Sequence, residues 1–242
     1  MYPDHARMLD DLRRLARPAS NAPPQNDSYG GSGRPFFNVS VPDRRTMAKA
    51  WVTQHKADGA SATLALVESL FDGASHEEKT LAAILLGCSA PARAATRPAD
   101  LDRWLGKLNG WAEVDSLCQN LFTAAEMSRD WPAWRTLIEA LTVSRDINRR
   151  RAALVLLTGP TARSDDDAFH DLAFRTIETL KGEKPILITK AVSWLLRSMA
   201  GRRPQAVEAY LAREAGSLPA VAVRETRIKL ATGTKSGKRR GA

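Results

Sequence analysis

The sequence predicts an all-α protein: a right-handed α-solenoid of HEAT-like antiparallel helix pairs with a basic concave face. Three observations lead there. Apolar residues recur at helical spacing almost throughout, and no segment shows the period-two alternation of a half-buried strand. Proline and glycine punctuate the pattern at short intervals. The resulting unit, about 35–45 residues long, falls in the range of HEAT-like repeats, in which each helix pair buries its apolar stripe against its neighbours. A compact helical bundle shares this periodicity and is the alternative architecture.

The elements follow in order. Residues 4–17 form an amphipathic helix with Met8, Leu9, Leu12 and Leu15 inward. Pro18 and the Pro- and Gly-bearing stretch Ser20 to Gly33 break it into a loop. Pro42 and Asp43 open a second helix, since proline is tolerated and an acid favoured in a first turn. Further helices are expected over 61–72, 76–88, 98–109, 111–128, 131–143, 146–158, 165–182, 186–200, 204–215 and 219–231. Gly73, Pro91, Pro132, Gly159-Pro160, Gly182, Pro185, Gly201 and Pro204 serve as their breakers. Residues 1–232 are expected to form a single domain. Residues 233–242, with Lys235, Lys238, Arg239 and Arg240 among Gly, Ser and Thr, form a basic tail that cannot pack a core.

Composition narrows the partner. With 36 Lys and Arg against 27 Asp and Glu, the chain of 242 residues carries a net charge of +9. Such a balance concentrates polyanions at long range, although solubility alone also explains a basic surface. Cys88 and Cys118 sit in apolar helical stretches without zinc-ligand spacing and read as reduced core residues, which favours the cytoplasm and, for a DNA partner, the nucleoid. No apolar leader and no membrane-length run is visible, so no membrane partner is expected. His5, His55, His76 and His170 are scattered, and Gly30, Gly31 and Gly33 lack a strand–turn–helix context. No metal and no cofactor is therefore expected, and the chain is expected to act as a monomer.

Three segments carry candidate chemistry. Trp111 and Asp115 stand at i and i+4, which puts an indole and a carboxylate side by side on one helix face. Taken alone, Trp111 also suits a core position and Asp115 an interhelical cap or ion pair. In Arg149-Arg150-Arg151 the three side chains point about 100° apart, so at most two serve one surface. Arg151 lies nearest the core edge, where a phosphate contact or an ion pair suits it, and Asp146 suits the N-cap. Trp194 has Lys190 four residues before it and Arg197 three after, an aromatic flanked by cations on one face. A core position for Trp194 is the alternative.

The ordered set resembles the AlkD-type DNA alkylation-repair glycosylases, a HEAT-like repeat family. Trp111-Ala112-Glu113-Val114-Asp115 resembles its Trp-Asp-x-Val-Asp segment, and Arg151-Ala152-Ala153 its Arg-Ala-Ala helix start. Lys190-Ala191-Val192-Ser193-Trp194-Leu195-Leu196-Arg197 resembles its Lys-Ala-x-x-Trp-x-Leu-Arg run. Val223-Arg224-Glu225-Thr226 and Val39 to Arg45 resemble its late Arg-Glu helix and its early Val-x-x-Pro-x-x-Arg start. The likeness spans about residues 36–230. Ala112 departs from it by removing one acid, and Asn148 stands where the family often has tryptophan.

The resemblance implies hydrolysis of the N-glycosidic bond of cationic N3- or N7-alkylated purines in double-stranded DNA, without a deep base-flipping pocket and without strand cleavage. It implies catalytic roles for Asp115, Trp111 and Trp194, and DNA contacts for Arg151, Lys190, Arg197, Arg150 and Arg224. A non-catalytic HEAT-repeat protein that binds damaged or branched DNA is the alternative function, and a HEAT-type protein adaptor a further one.

Overall fold

The computed structural model describes residues 2–18 and 31–237, and every regular element among them is helical. They divide into two compact units, one running through Phe122 and the other starting at Thr123. That division falls inside the span 1–232. Most of the loop expected over 20–33 and the last residues of the basic tail lie outside the described residues.

The first unit holds α1 (Pro3–Arg14), α2 (Val41–Gln54), α3 (Gly59–Phe71), α4 (His76–Cys88), α5 (Ala90–Ala95), α6 (Pro98–Leu105) and α7 (Trp111–Asn120). A single 3-10 turn, Lys56–Asp58, precedes α3. Helix α4 is its centre and packs against α2, α3, α5 and α7. Every residue from Glu77 to Leu86 is buried. Its start is fixed by a capping box: the Ser75 hydroxyl accepts from the Glu78 amide, and Glu78 accepts from the Ser75 amide. Such a helix buries its polar first turn only because each group there finds a partner. The Glu77 carboxylate accepts from the amides of Phe37 (3.0 Å) and Val39 (3.3 Å), which ties residues 31–40 across the α4 N-terminus.

The second unit holds α8 (Ala124–Ser128), α9 (Trp131–Thr142), α10 (Ile147–Arg163), α11 (Asp167–Leu180), α12 (Ile186–Met199), α13 (Pro204–Glu214) and α14 (Ala220–Thr232). Helices α10, α12 and α14 pack in succession as one row. Helix α9 covers α10, α11 covers α10 and α12, and α13 covers α12 and α14. This is the paired-helix stacking expected of an α-solenoid. Asp146 caps α10 as expected, its Oδ1 accepting from the Asn148 amide at 2.8 Å.

Several local expectations are corrected. Gly159-Pro160 does not end α10, which continues to Arg163. The Thr158 and Thr161 hydroxyls donate to the Val155 and Leu157 carbonyls (both 2.7 Å), on either side of the Leu156 carbonyl that Pro160 has no N–H to meet. Pro91 follows the end of α4 at Cys88 as expected, but it also opens a helix not expected from the sequence, α5, in whose first turn a missing N–H costs nothing. The helix expected over 98–109 stops at Leu105, and that expected over 111–128 splits at Leu121 because Thr123 and Glu126 form a new capping box. Leu15, expected inward, is exposed because α1 ends at Arg14, while Met8 and Leu12 are buried. Cys118 is buried but Cys88 only half so, and both are free thiols.

Candidate functional site

Helix α7 begins at Trp111, directly after Gly110. Gly110 adopts φ 76° and ψ 163°, a region essentially closed to any residue with a Cβ. That glycine lets the chain turn so that Trp111 enters the first helical position, the residue 38% exposed. Val114, Leu117 and Cys118 form the buried face of α7, whose packing partner is α4. The row 111, 115, 119 lies on the other side: Trp111 and Gln119 are exposed and Asp115 is half-buried. The i, i+4 pairing read from the sequence is thus present on an accessible face. The core explanation for Trp111 does not hold.

Neighbouring Glu113 has a different task. It is 1% exposed and points into the unit. Its Oε2 accepts from the Asn109 amide at 2.9 Å and from Arg34 Nε at 3.4 Å, and its Oε1 lies 3.4 Å from His76 Nδ1. Arg34 also donates to the Lys107 carbonyl at 2.9 Å. Glu113 therefore locks the chain entering α7, and Asp115 is the acid left on the accessible row.

In the second unit Arg151 is 5% exposed at the start of α10, and its guanidinium donates to the Leu187 carbonyl just inside α12. Arg150 grips Glu183 with two arms, at 2.7 and 3.0 Å, and donates to the carbonyls of Ser144 (2.8 Å) and Arg145 (3.0 Å). The expected DNA contact for Arg150 thus meets a side chain engaged within its own unit. Arg224 is exposed on α14.

Trp194 is half-buried on α12. Lys190 and Arg197 share its side of the helix, and both reach one carboxylate on α14. Glu225 lies 3.9 Å from Lys190 Nζ and 3.4 Å from Arg197 Nε. The Ser193 hydroxyl donates to Glu225 at 2.6 Å, and Lys235 Nζ comes within 3.7 Å. Burial pushes the Glu225 carboxyl up, but the Ser193 bond and the charges of Lys235, Arg197 and Lys190 outweigh it and hold it below the usual carboxylate range. Burial also lowers the Arg197 guanidinium, with Glu225 opposing the effect.

Neither Glu225 nor Ser193 was assigned a role from sequence. A signal existed: positions 190, 193 and 197 recur at i, i+3 and i+7, and an acid stands between Arg224 and Arg227. Of the remaining tryptophans, Trp51, Trp104 and Trp134 are buried, and Trp131 meets Phe169 edge-on at 4.9 Å. Among the described residues, no group of three His, Cys, Asp or Glu side chains is placed to hold a metal, and no helix is long and apolar enough to cross a membrane.

Stacked helix pairs, with an indole and a carboxylate on one accessible helix row and a cation cluster beside an indole in the other unit, define an all-helical protein suited to an anionic polymer. The family model for DNA alkylation repair enzyme matches residues 8–230, and the chain belongs to that family. Its role accordingly lies in DNA alkylation repair. A solved structure described as a predicted DNA alkylation repair enzyme from Enterococcus faecalis is similar in fold, with a TM-score of 0.62 and 18% sequence identity. The alignment covers 95% of this chain and 96% of that one. No curated protein matches the chain.

Proposed function

We propose that the chain is a monofunctional glycosylase that hydrolyses the N-glycosidic bond of N3- and N7-alkylated purines in duplex DNA. The observation that carries this reading is the accessible Trp111–Asp115 row on α7. An alkylated purine of this kind is already cationic. When its bond to C1′ breaks, the electron pair leaves with the base, which departs neutral and needs no general acid. Positive charge builds on the deoxyribose. A fixed carboxylate beside that sugar stabilises the transition state more than the ground state, which is the condition for acceleration. Asp115 takes this role and accepts a proton from the water that attacks C1′. Trp111, on the same helix row as Asp115, presents its electron-rich face to the developing charge, a contact contributing about 0.5–2 kcal/mol, and the family resemblance implies the same role for Trp194. Lys190, Arg197 and Arg224 contact the backbone, which sets register rather than sequence preference, while the buried Arg151, bonded to the Leu187 carbonyl, holds α10 against α12 beneath that surface.

The test is release of alkylpurine from methylated duplex DNA. Asp115→Asn is expected to lower it by on the order of 10²–10³-fold while DNA binding persists. Unchanged release would remove Asp115 from the mechanism. DNA binding without release by the wild type would make the chain a non-catalytic DNA-binding protein.

A further inference from the structure

Glu225 is an anion on a surface whose proposed ligand is an anion. It is 8% exposed, and three cations converge on it: Lys190 and Arg197 from α12 and Lys235 from beyond α14. One negative charge against three positive leaves the cluster at net +2. If the chain needed only positive potential here, a neutral residue at 225 would serve better, since the acid cancels a third of it. Its presence amid cations calls for a geometric reason.

Two features supply one. Long lysine and arginine side chains lose rotamer freedom when a ligand fixes them. A buried carboxylate within 3.4–3.9 Å of all three draws them towards one point and removes part of that loss before the ligand arrives. The carboxylate is itself fixed by the Ser193 hydroxyl at 2.6 Å, and Ser193 also lies 3.4 Å from Arg197 Nε. The second feature is the path of the chain after α14. Seven residues of helix separate Glu225 from Thr232, about 10 Å of rise, so Lys235 reaches Glu225 only if the chain turns back. It does so at Gly233, which is left-handed at φ 73°, with its amide bonded to the Lys229 carbonyl at 2.9 Å. The reversal brings a third cation to the face that already carries Lys190, Arg197 and Trp194.

We propose that Glu225 is a positioning residue for a DNA phosphodiester, holding Lys190, Arg197 and Lys235 as a preformed receptor beside Trp194. This rests on DNA being the ligand, and does not require that the chain cleave a glycosidic bond.

The experiment measures the affinity of the full chain for unmodified duplex DNA across a salt series, with alkylpurine release measured in parallel. Glu225→Gln removes one negative charge and raises the net charge by one, so simple attraction predicts tighter binding. Positioning predicts binding about tenfold weaker, with partial recovery in Glu225→Asp. Tighter or unchanged binding by Glu225→Gln overturns the proposal. Lys235→Ala lies outside the helices and avoids the core if Glu225→Gln fails to fold. It is expected to flatten the dependence of log affinity on log salt by about 0.9, one phosphate contact, and an unchanged slope overturns the proposal. A wild type that binds DNA in this way without releasing base would refute the glycosylase reading and leave the receptor intact.

Discussion

The Glu113 carboxylate accepts the Asn109 amide at 2.9 Å, and this bond sets where α7 begins. Between the two lies Gly110, in a backbone region that only glycine occupies readily. Trp111 and Asp115 inherit their direction from this turn. Glu113→Gln keeps the shape of the side chain but removes the charge that faces Arg34. A stability loss of about 1–3 kcal/mol is expected. Release of alkylpurine by the folded variant is expected to fall about tenfold or more under the proposed role of Asp115, because small displacements of a catalytic group are costly. Normal release alongside a lowered Tm would mean that Glu113 supports the fold without placing Asp115.

Arg150 presents the opposite case. Its four hydrogen bonds to Glu183, Ser144 and Arg145 close the turn before α10 onto the segment before α12. Arg150→Ala is expected to lower stability by about 1–3 kcal/mol, the range for hydrogen bonds to charged groups and their loss. The salt dependence of DNA binding should stay as it is. A slope reduced by about 0.9 would instead show that the guanidinium leaves Glu183 for a phosphate.

Much of this was readable in the sequence, for reasons that differ by element. Helix α4 spans the predicted residues because Ser75 and Glu78 form a capping box and Ser89 follows as its last boundary. The extent of α10 was misread because Gly159-Pro160 is a local stop signal, and buried packing around Leu154 to Leu157 with two threonine hydroxyls overrides it. Spacing placed Trp111 and Asp115 on one row, since i and i+4 hold on any helix. Spacing placed Arg151 nearest the core edge, where it is buried, but could not show that Arg150 is engaged, because its partner Glu183 lies more than 30 residues away. Glu225 was hidden for the same reason: its four neighbours come from α12 and from beyond the end of α14.

The buried pair of His5 and Glu78 makes a final prediction, on acid stability. Glu78 Oε1 lies 2.7 Å from His5 Nε2, and Oε2 accepts from the Ser75 hydroxyl at 2.6 Å and its amide at 2.8 Å. Burial alone would raise this carboxyl. The bonds from His5 and Ser75 and the charge of His5 prevail and lower it from 4.5 to about 2. A folded value below the unfolded one means that the unfolded chain binds the proton more readily. The contribution is therefore complete above about pH 4.5, and is lost as pH falls through about 2. Glu78→Gln removes it at every pH. Thermal melts of the two proteins should differ most near neutrality, and the gap in Tm should narrow steadily below pH 4.5. A gap that stays constant down to pH 2 would mean that Glu78 acts by shape and capping alone, with no contribution from its charge.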